Sequence, residues 1–319
     1  MLPEKFMEYA GSILATLGFS SNFWFYFYSD YWMEDRALYP YLHTWSLSVE
    51  EQFYVLYPVF LFAVLKYFRA HLTTLLMIGA LSSLVVCDYL AGRDRDLAFY
   101  MFLTRAWELI LGAILAKIQT DGKIQQNPIA TQLAPSLGLA LILYGVVFFN
   151  DKTLHPSFLT LIPVFGTMLI IQYGKPGELI TDVLSSRPFV AIGLISYSFY
   201  LWHYPIFAFS TVTHRVWGEE QGDGYKFSLV LASITLATLT YFLVERPARF
   251  TKSISSSSIL LIIAATFVIL TGGHFYVYQS KGVPERVDDK LALIKSFSMP
   301  DLYEFCSNRK IDIEGVNWC

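Results

Sequence analysis

The sequence predicts an all-α fold, namely a polytopic integral membrane helical bundle with about nine transmembrane helices. Hydrophobic residues make up 55% of the 319 residues and charged residues only 15%, whereas about a quarter of a soluble domain is charged. The mean hydropathy is +0.45. Aromatic residues reach 17%, and aromatic rings are enriched at membrane–water interfaces. These values exclude a soluble globular protein.

Apolar runs recur along the chain, and short polar connections separate them. About 20 helical residues cross a hydrocarbon core of about 30 Å, which sets the length expected of each span. No repeat of fixed period is visible among the runs. The predicted spans, in order, are Tyr9–Tyr28, Glu50–Phe68, Thr73–Leu90, Met101–Lys117, Leu133–Phe149, Phe158–Tyr173, Phe189–Thr211, Phe227–Val244 and Ser257–Val277.

Lysine and arginine are unevenly distributed between alternate loops, and such a bias sets orientation in a membrane. One set of loops is rich in basic residues, including Lys66, Arg69, Arg246 and Arg249, whereas the other mixes arginines with many acids. The bias predicts a cytoplasmic N-terminus and, with an odd number of spans, a tail over residues 279–319 outside the cytoplasm. A net charge of −3 provides no basic surface for nucleic acid.

The three cysteines form no Cys-x-x-Cys pair, so no metal site is expected. Cys87 falls within a span and is predicted to pack as a small apolar residue. Cys306 and Cys319 lie in the tail, where an oxidising compartment would allow a disulfide between them. Two free thiols are the alternative.

The densest polar cluster in an apolar run is His43-Thr-Trp-Ser-Leu-Ser-Val-Glu-Glu-Gln-Phe-Tyr54, where the second span begins. Ionisable groups are costly inside a membrane, so each one is a candidate for function. An imidazole beside two carboxylates is suited to acid–base chemistry. His43, Glu50 and Glu51 are therefore candidate catalytic residues.

Helical spacing places Ser46, Glu50 and Tyr54 on one face, because residues four apart are neighbours on a helix. Trp45, Ser46 and Tyr54 are the candidate substrate-binding residues of this segment. A capping box is the structural alternative, in which Ser48 caps the helix and Glu51 reaches back to it.

Arg105 and Glu108 form a second candidate pair, three residues apart at the start of the fourth span. An arginine can bind a phosphate or carboxylate with two parallel hydrogen bonds. The pair is a candidate for substrate binding, and mutual neutralisation inside the bundle is the structural alternative.

A third cluster, Ser196-Tyr-Ser-Phe-Tyr-Leu-Trp-His-Tyr-Pro205, lies in the seventh span. It supplies His203 as a candidate catalytic residue and Tyr197, Tyr200 and Trp202 as candidate binding residues. Packing of His203 and an interfacial aromatic belt including Trp202 and Tyr204 are the alternatives. Glu245-Arg-Pro247 is interpreted as a helix end.

These motifs, in their order along about Met1 to Val277, resemble the acyltransferase-3 family of membrane O-acyltransferases. The segments that carry the resemblance are Ser21-Asn22-Phe23-Trp24, Leu42 to Tyr54, Arg105-Ala-Trp-Glu-Leu109, Ile195 to Pro205 and Val244-Glu-Arg-Pro247. The resemblance implies transfer of an acyl group, commonly acetyl, from cytoplasmic acyl-CoA (acetyl-CoA) to a hydroxyl of a cell-surface or exported glycan such as lipopolysaccharide or peptidoglycan. It also implies a bacterial inner membrane location.

The resemblance is closest to the branch with an additional last helix and a C-terminal hydrolase-like domain of the Ser-Gly-Asn-His type. Residues 1–278 are expected to form the membrane domain without the first two helices of the family. Residues 279–319 are expected to begin the hydrolase-like domain. Because the family's basic residue and catalytic histidine lie in the first helix, an inactive fragment is one alternative. A transporter or flippase of glycan or lipid is the other.

Overall fold

The computed structural model describes residues 3–28, 39–122, 127–150, 153–217, 222–250, 255–286, 312–313 and 316–317. The helices are α1 (Pro3–Leu17), α2 (Ser21–Tyr28), α3 (Trp45–Tyr67), α4 (Leu72–Ala91), α5 (Arg95–Tyr100), α6 (Phe102–Asp121), α7 (Pro128–Phe148), α8 (Leu161–Tyr173), α9 (Leu179–Leu184), α10 (Arg187–Trp217), α11 (Asp223–Thr240), α12 (Arg246–Phe250) and α13 (Ser256–Gln279). Short 3₁₀ turns occupy Leu42–Thr44, Arg69–His71, Phe158–Thr160 and Pro284–Arg286, and a π-helical turn occupies Tyr241–Glu245.

Contacts divide the chain into two units. The first consists of Met1–Leu14 and Val268–Cys319, and the second consists of Ala15–Phe267. In the first unit, the rings of Tyr9 and His274 lie 6.3 Å apart. It also contains the paired strands β1 (Asp312–Ile313) and β2 (Val316–Asn317). The second unit contains α2 to α12 and the candidate site. Cys306 and Cys319 lie outside the described residues.

The predicted all-α membrane fold is confirmed. Among the described residues, six helical segments are long and apolar enough to cross a membrane. They are Leu42–Tyr67, Arg69–Ala91, Arg95–Asp121, Pro128–Phe148, Asp223–Phe250 and Ser257–Gln279, and Phe158–Tyr173 is a shorter apolar helix. The predicted number of nine is not confirmed.

The predicted span Tyr9–Tyr28 is not one helix, because α1 ends at Leu17 and α2 begins at Ser21. The N–H of Ser20 donates to the carbonyl of Ala15, and the N–H of Phe19 donates to the carbonyl of Thr16. Phe19 has a φ of 51°, and this hydrogen-bond pattern with a left-handed residue is a Schellman helix stop. The continuous apolar character of the run concealed this backbone turn.

The helix of the second span begins earlier than predicted, at Trp45, directly after the 3₁₀ turn Leu42–Thr44. The capping-box interpretation is therefore wrong, because Ser48 lies inside α3. The Ser48 hydroxyl instead lies 2.7 Å from the Ser21 hydroxyl and accepts the N–H of Ser21. The predicted packing of Cys87 is confirmed, since it is fully buried in a cluster with Leu84 and Trp107.

Helices α7 and α8 pack with their backbones in close approach at two glycines. A Cβ atom on Gly138 would lie 2.5 Å from the carbonyl oxygen of Gly166, and a Cβ atom on Gly166 would lie 2.5 Å from the carbonyl oxygen of Gly138. Small residues permit such approach between membrane helices, where van der Waals contact rather than hydrophobic burial drives association.

Replacement of Gly166 by leucine is expected to destabilise this helix pair, because overpacking costs about 1–3 kcal/mol even without a backbone clash. Thermal unfolding in detergent would measure the effect as a lower Tm. Gly193→Leu in α10 is the matched control, since nothing lies within 4 Å of a Cβ there. Equal Tm values for the two variants would contradict the prediction.

Candidate active site

A cavity of about 480 Å³ lies where the start of α3, the end of α5 and the middle of α10 meet. Its lining combines aromatic rings with hydroxyl and imidazole groups, contributed by Leu42, His43, Trp45, Ser46, Phe99, Tyr100, Tyr200 and Tyr204. Such a combination, mainly apolar with a few convergent polar groups, is typical of a small-molecule binding site.

His43 is buried, with 7% of its surface exposed. Its ring stacks on Tyr204 at 5.1 Å and meets the edge of Tyr200 at 5.0 Å. Neither ring nitrogen has a hydrogen-bond partner within the described part of the chain. Because buried polar groups are rarely left unsatisfied, these nitrogens are available to a bound molecule.

Tyr200 joins α10 to the beginning of α3. Its hydroxyl donates to the carbonyl of His43 and lies 2.7 Å from the hydroxyl of Ser46. With its own proton given to the carbonyl, the Tyr200 oxygen accepts from Ser46. These contacts fix the His43 backbone and the Ser46 hydroxyl at the cavity wall.

His203 lies beside His43, with ring centroids 5.8 Å apart. Its Nδ1 is 3.1 Å from the carbonyl oxygen of Phe199. A carbonyl can only accept a hydrogen bond, so Nδ1 carries the proton and, in the neutral ring, Nε2 keeps its lone pair. The backbone of α10 therefore selects the tautomer in which Nε2 can take a proton.

Buried polar contacts position α2 against α3 and α5. The amide of Asn22, which is fully buried, donates to the carbonyl of Tyr100 at 3.1 Å. The amide of Gln52 donates to the Asn22 side chain at 2.9 Å and to the carbonyl of Phe19 at 3.0 Å. Since these contacts satisfy the buried side chain of Asn22, they hold the three helices in one arrangement.

Arg105 and Glu108 lie behind the cavity wall on α6. The guanidinium lies 3.0 Å from the Glu108 carboxylate, and the two side chains are 14% and 26% exposed. The Arg105 guanidinium also lies 5.5 Å from the ring of Trp45 and 5.7 Å from that of Phe99. Arg105 thus contacts the cavity through these two rings.

His155, in the loop before α8, approaches the same region. Its Nδ1 lies 3.1 Å from the Thr160 hydroxyl, and its ring lies 6.5 Å from that of Phe99. Burial lowers the pKa of His155 to about 4, and the Arg105 and Arg95 guanidiniums add to this effect. His155 is therefore neutral at pH 7.

Acidification should destabilise the protein partly through His155. An unfolded histidine has a pKa of about 6.5, whereas folding lowers the pKa of His155 to about 4, so the unfolded chain binds the proton more readily. The contribution of neutral His155 to the free energy of unfolding is complete above about pH 6.5 and is lost as the pH falls toward about 4. His155→Asn should give a smaller decrease in Tm across this range than wild type. An equal decrease in Tm with pH for His155→Asn and wild type would contradict the prediction.

Glu245 contacts α10 through the π-helical turn. Its carboxylate accepts from the hydroxyl of Ser198, which is fully buried, and its other oxygen lies 3.7 Å from Arg249. The interpretation of Glu245-Arg-Pro247 as a helix end is wrong, because the helix continues through α12. π-helical turns are often found at functional sites.

The structure brings together only some of the predicted site residues. His43, Trp45, Ser46 and Tyr200 line the cavity, and His203 is adjacent. Glu50 and Glu51 are partly buried one turn farther along α3. Tyr54 is 58% exposed, Tyr197 is 49% exposed, and Trp202 is 36% exposed, with its indole N–H donating to Thr240.

The sequence reasoning did not select Tyr204, Phe99, Tyr100 or His155. The sequence suggests an interfacial belt for Tyr204, but its ring stacks on His43. The spacing of Tyr200, His203 and Tyr204 places them on one helical face and could have identified it. No local pattern indicates the other three, whose positions depend on packing between helices.

The fold and site define a multi-pass membrane protein with a polar, aromatic cavity between its helices. The chain belongs to the acyltransferase domain family (acyltransferase-3), whose sequence profile matches residues 10–244.

Three relatives are similar over most of the chain. The protein YrhL of Bacillus subtilis is 31% identical over 256 aligned positions, and the match covers 75% of this chain and 39% of YrhL. The peptidoglycan O-acetyltransferase OatA of Listeria monocytogenes is 27% identical over 260 residues, 77% of this chain and 41% of OatA. The O-acetyltransferase OatA of Staphylococcus aureus is 29% identical over 260 residues, 77% of this chain and 42% of that protein.

The chain thus spans about two fifths of the length of these curated relatives. No solved structure matches it.

Proposed function

We propose that the protein is a membrane O-acetyltransferase that transfers an acetyl group from cytoplasmic acetyl-CoA to a hydroxyl of a cell-wall glycan. Membership of the acyltransferase family and the names of two relatives support this assignment. The observation that carries it is the cavity lined by His43, Ser46 and Tyr200. It offers a place where a hydroxyl and an acyl carbonyl can meet away from bulk water.

His203 is the proposed general base. Its Nε2 takes the proton of the acceptor hydroxyl while the oxygen attacks the carbonyl carbon of the thioester. The carbon–sulfur bond then breaks, and the sulfur of coenzyme A leaves with that proton. The hydrogen bond from Nδ1 to the Phe199 carbonyl holds the ring and favours the positive charge that forms.

Hydroxyl groups and aromatic rings give the cavity its proposed selectivity. The Ser46 and Tyr200 hydroxyls, 2.7 Å apart, lie where polar atoms of the substrate would meet them. Trp45 and Tyr204 offer flat apolar surfaces in the same wall, which suits the ring faces of a sugar. Glu50 lies one turn from Ser46 on α3 and is partly buried.

The proposed site requires access from both sides of the membrane. We place the protein in the bacterial cytoplasmic (inner) membrane with its N-terminus inside and residues 279–319 outside, following the bias of basic residues among the loops. In this orientation acetyl-CoA arrives from the cytoplasm, and the acceptor glycan approaches the start of α3 from outside.

Reconstitution in liposomes would test the function. Acetyl-labelled acetyl-CoA would be supplied on the cytoplasmic side and peptidoglycan fragments on the other. Ester-linked label on the fragments is the expected result. Movement of intact glycan or lipid without use of the donor would instead indicate a transporter or flippase, and absence of any transfer would contradict the proposal.

A further inference from the structure

A second cavity, of about 460 Å³, opens between α3, α4 and α6. Its walls are almost entirely apolar and include Leu56, Leu75, Gly79, Val86 and Leu103. It shares none of its lining residues with the candidate active site. All three helices belong to segments able to cross a membrane, so we expect this cavity to lie within the hydrocarbon core.

The two serine hydroxyls in its wall are satisfied within the protein. The Ser83 hydroxyl donates to the carbonyl of Leu103 at 2.6 Å and accepts the N–H of Trp107. The Ser82 hydroxyl donates to the carbonyl of Gly79. With these donors engaged, the cavity favours an apolar occupant over a polar one.

The length of the cavity matches that of one acyl chain in a bilayer. Along α4 its wall extends from Leu75 to Val86, which is about 16 Å at about 1.5 Å per residue. Half of a hydrocarbon core of about 30 Å is about 15 Å. A lipid chain aligned with the helices would therefore fit along this wall.

The apolar wall on α4 is followed by an aromatic and a basic residue at the end of this helix. Tyr89 follows Val86 by three residues and extends its face, and Arg93 lies in the turn two residues beyond the end of α4. The Arg93 guanidinium lies 3.8 Å from the centre of the Tyr89 ring and is exposed. The adjacent carboxylates are engaged elsewhere: Asp88 accepts from the Phe158 N–H, and Asp94 accepts from the Leu97 N–H.

We propose that this cavity is a binding site for one acyl chain of an anionic phospholipid whose phosphate pairs with Arg93. Tyrosine and arginine at headgroup level are suited to this role, because the ring anchors at the interface and the guanidinium attracts anionic lipid. Gly79 provides the space: a Cβ there has only the Ile110 side chain nearby, at 3.6 Å.

Photo-crosslinking in nanodiscs would test the site. The probes are phosphatidylglycerol and phosphatidylcholine, each with a diazirine in its acyl chain, and mass spectrometry would map the labelled residues. Labelling should concentrate on the cavity residues of α3, α4 and α6. Gly79→Leu should reduce it about tenfold, equivalent to about 1.4 kcal/mol of binding.

Gly112→Leu is the matched control, because this position on α6 is exposed and nothing lies within 4 Å of a Cβ there. Arg93→Gln, on an exposed loop, should remove the preference for phosphatidylglycerol while retaining apolar labelling. Even labelling of all lipid-facing helices, or labelling unchanged by Gly79→Leu, would overturn the proposal. Preference for phosphatidylglycerol retained in Arg93→Gln would exclude the headgroup contact.

Discussion

His203→Asn should lower acetyl transfer by about 100- to 10,000-fold, the range by which a positioned general base accelerates a reaction. The asparagine amide can still donate to the Phe199 carbonyl, as Nδ1 of His203 does. The variant therefore keeps the local hydrogen bond and loses only the basic Nε2. The measurement is the initial rate of ester formation in liposomes, with Tm as the check on folding.

A second histidine makes the same local contact and supplies the control. Nδ1 of His274 lies 2.7 Å from the carbonyl of Leu270, four residues earlier on α13, and His274 is not among the residues lining the cavity. His274→Asn should transfer acetyl at the wild-type rate. A wild-type rate for His203→Asn as well would remove His203 from the mechanism.

Arg105→Met should destabilise the protein by about 1–3 kcal/mol, the cost of leaving a partly buried polar group without its partner. Glu108, at 3.0 Å and 26% exposed, would then hold an uncompensated charge between helices. The double variant Arg105→Met/Glu108→Met should regain most of the loss, because no charge remains to be solvated. Thermal unfolding in detergent would measure both effects.

A more exposed ion pair on the same helix provides the comparison. Lys117 and Asp121 lie 2.9 Å apart with side chains 27% and 28% exposed. Lys117→Met should cost about 0–1 kcal/mol, as is usual for pairs in contact with water. If Arg105→Met were as mild as Lys117→Met, the Arg105 pair would not stabilise the helix packing.

The fold class followed from composition because the bilayer constrains sequence strongly: each span must be long and apolar. Helix ends were harder to predict. The stop at Phe19 depends on a backbone conformation unusual for a phenylalanine, and the early start of α3 at Trp45 follows a polar segment. Neither feature changes the hydrophobic pattern from which the spans were identified.

The site was predictable where one segment carried several functional groups. His43, Trp45 and Ser46 were selected from one short segment, and all three line the cavity. The pairing of His43 with His203, 160 residues later in the sequence, required the packing of α3 against α10. Spacing alone also could not place Tyr54, which lies about two turns beyond Ser46 on α3, does not line the cavity and is 58% exposed.

The π-helical turn at Tyr241–Glu245 has a consequence for sequence comparison within the family. Such a turn accommodates one extra residue, and each residue rotates an α-helix by about 100°. A homologue with one residue fewer before Glu245 would direct this carboxylate away from the position of the Ser198 hydroxyl. A single-residue gap at this point in an alignment would therefore separate members that keep the Ser198–Glu245 contact from members that have lost it.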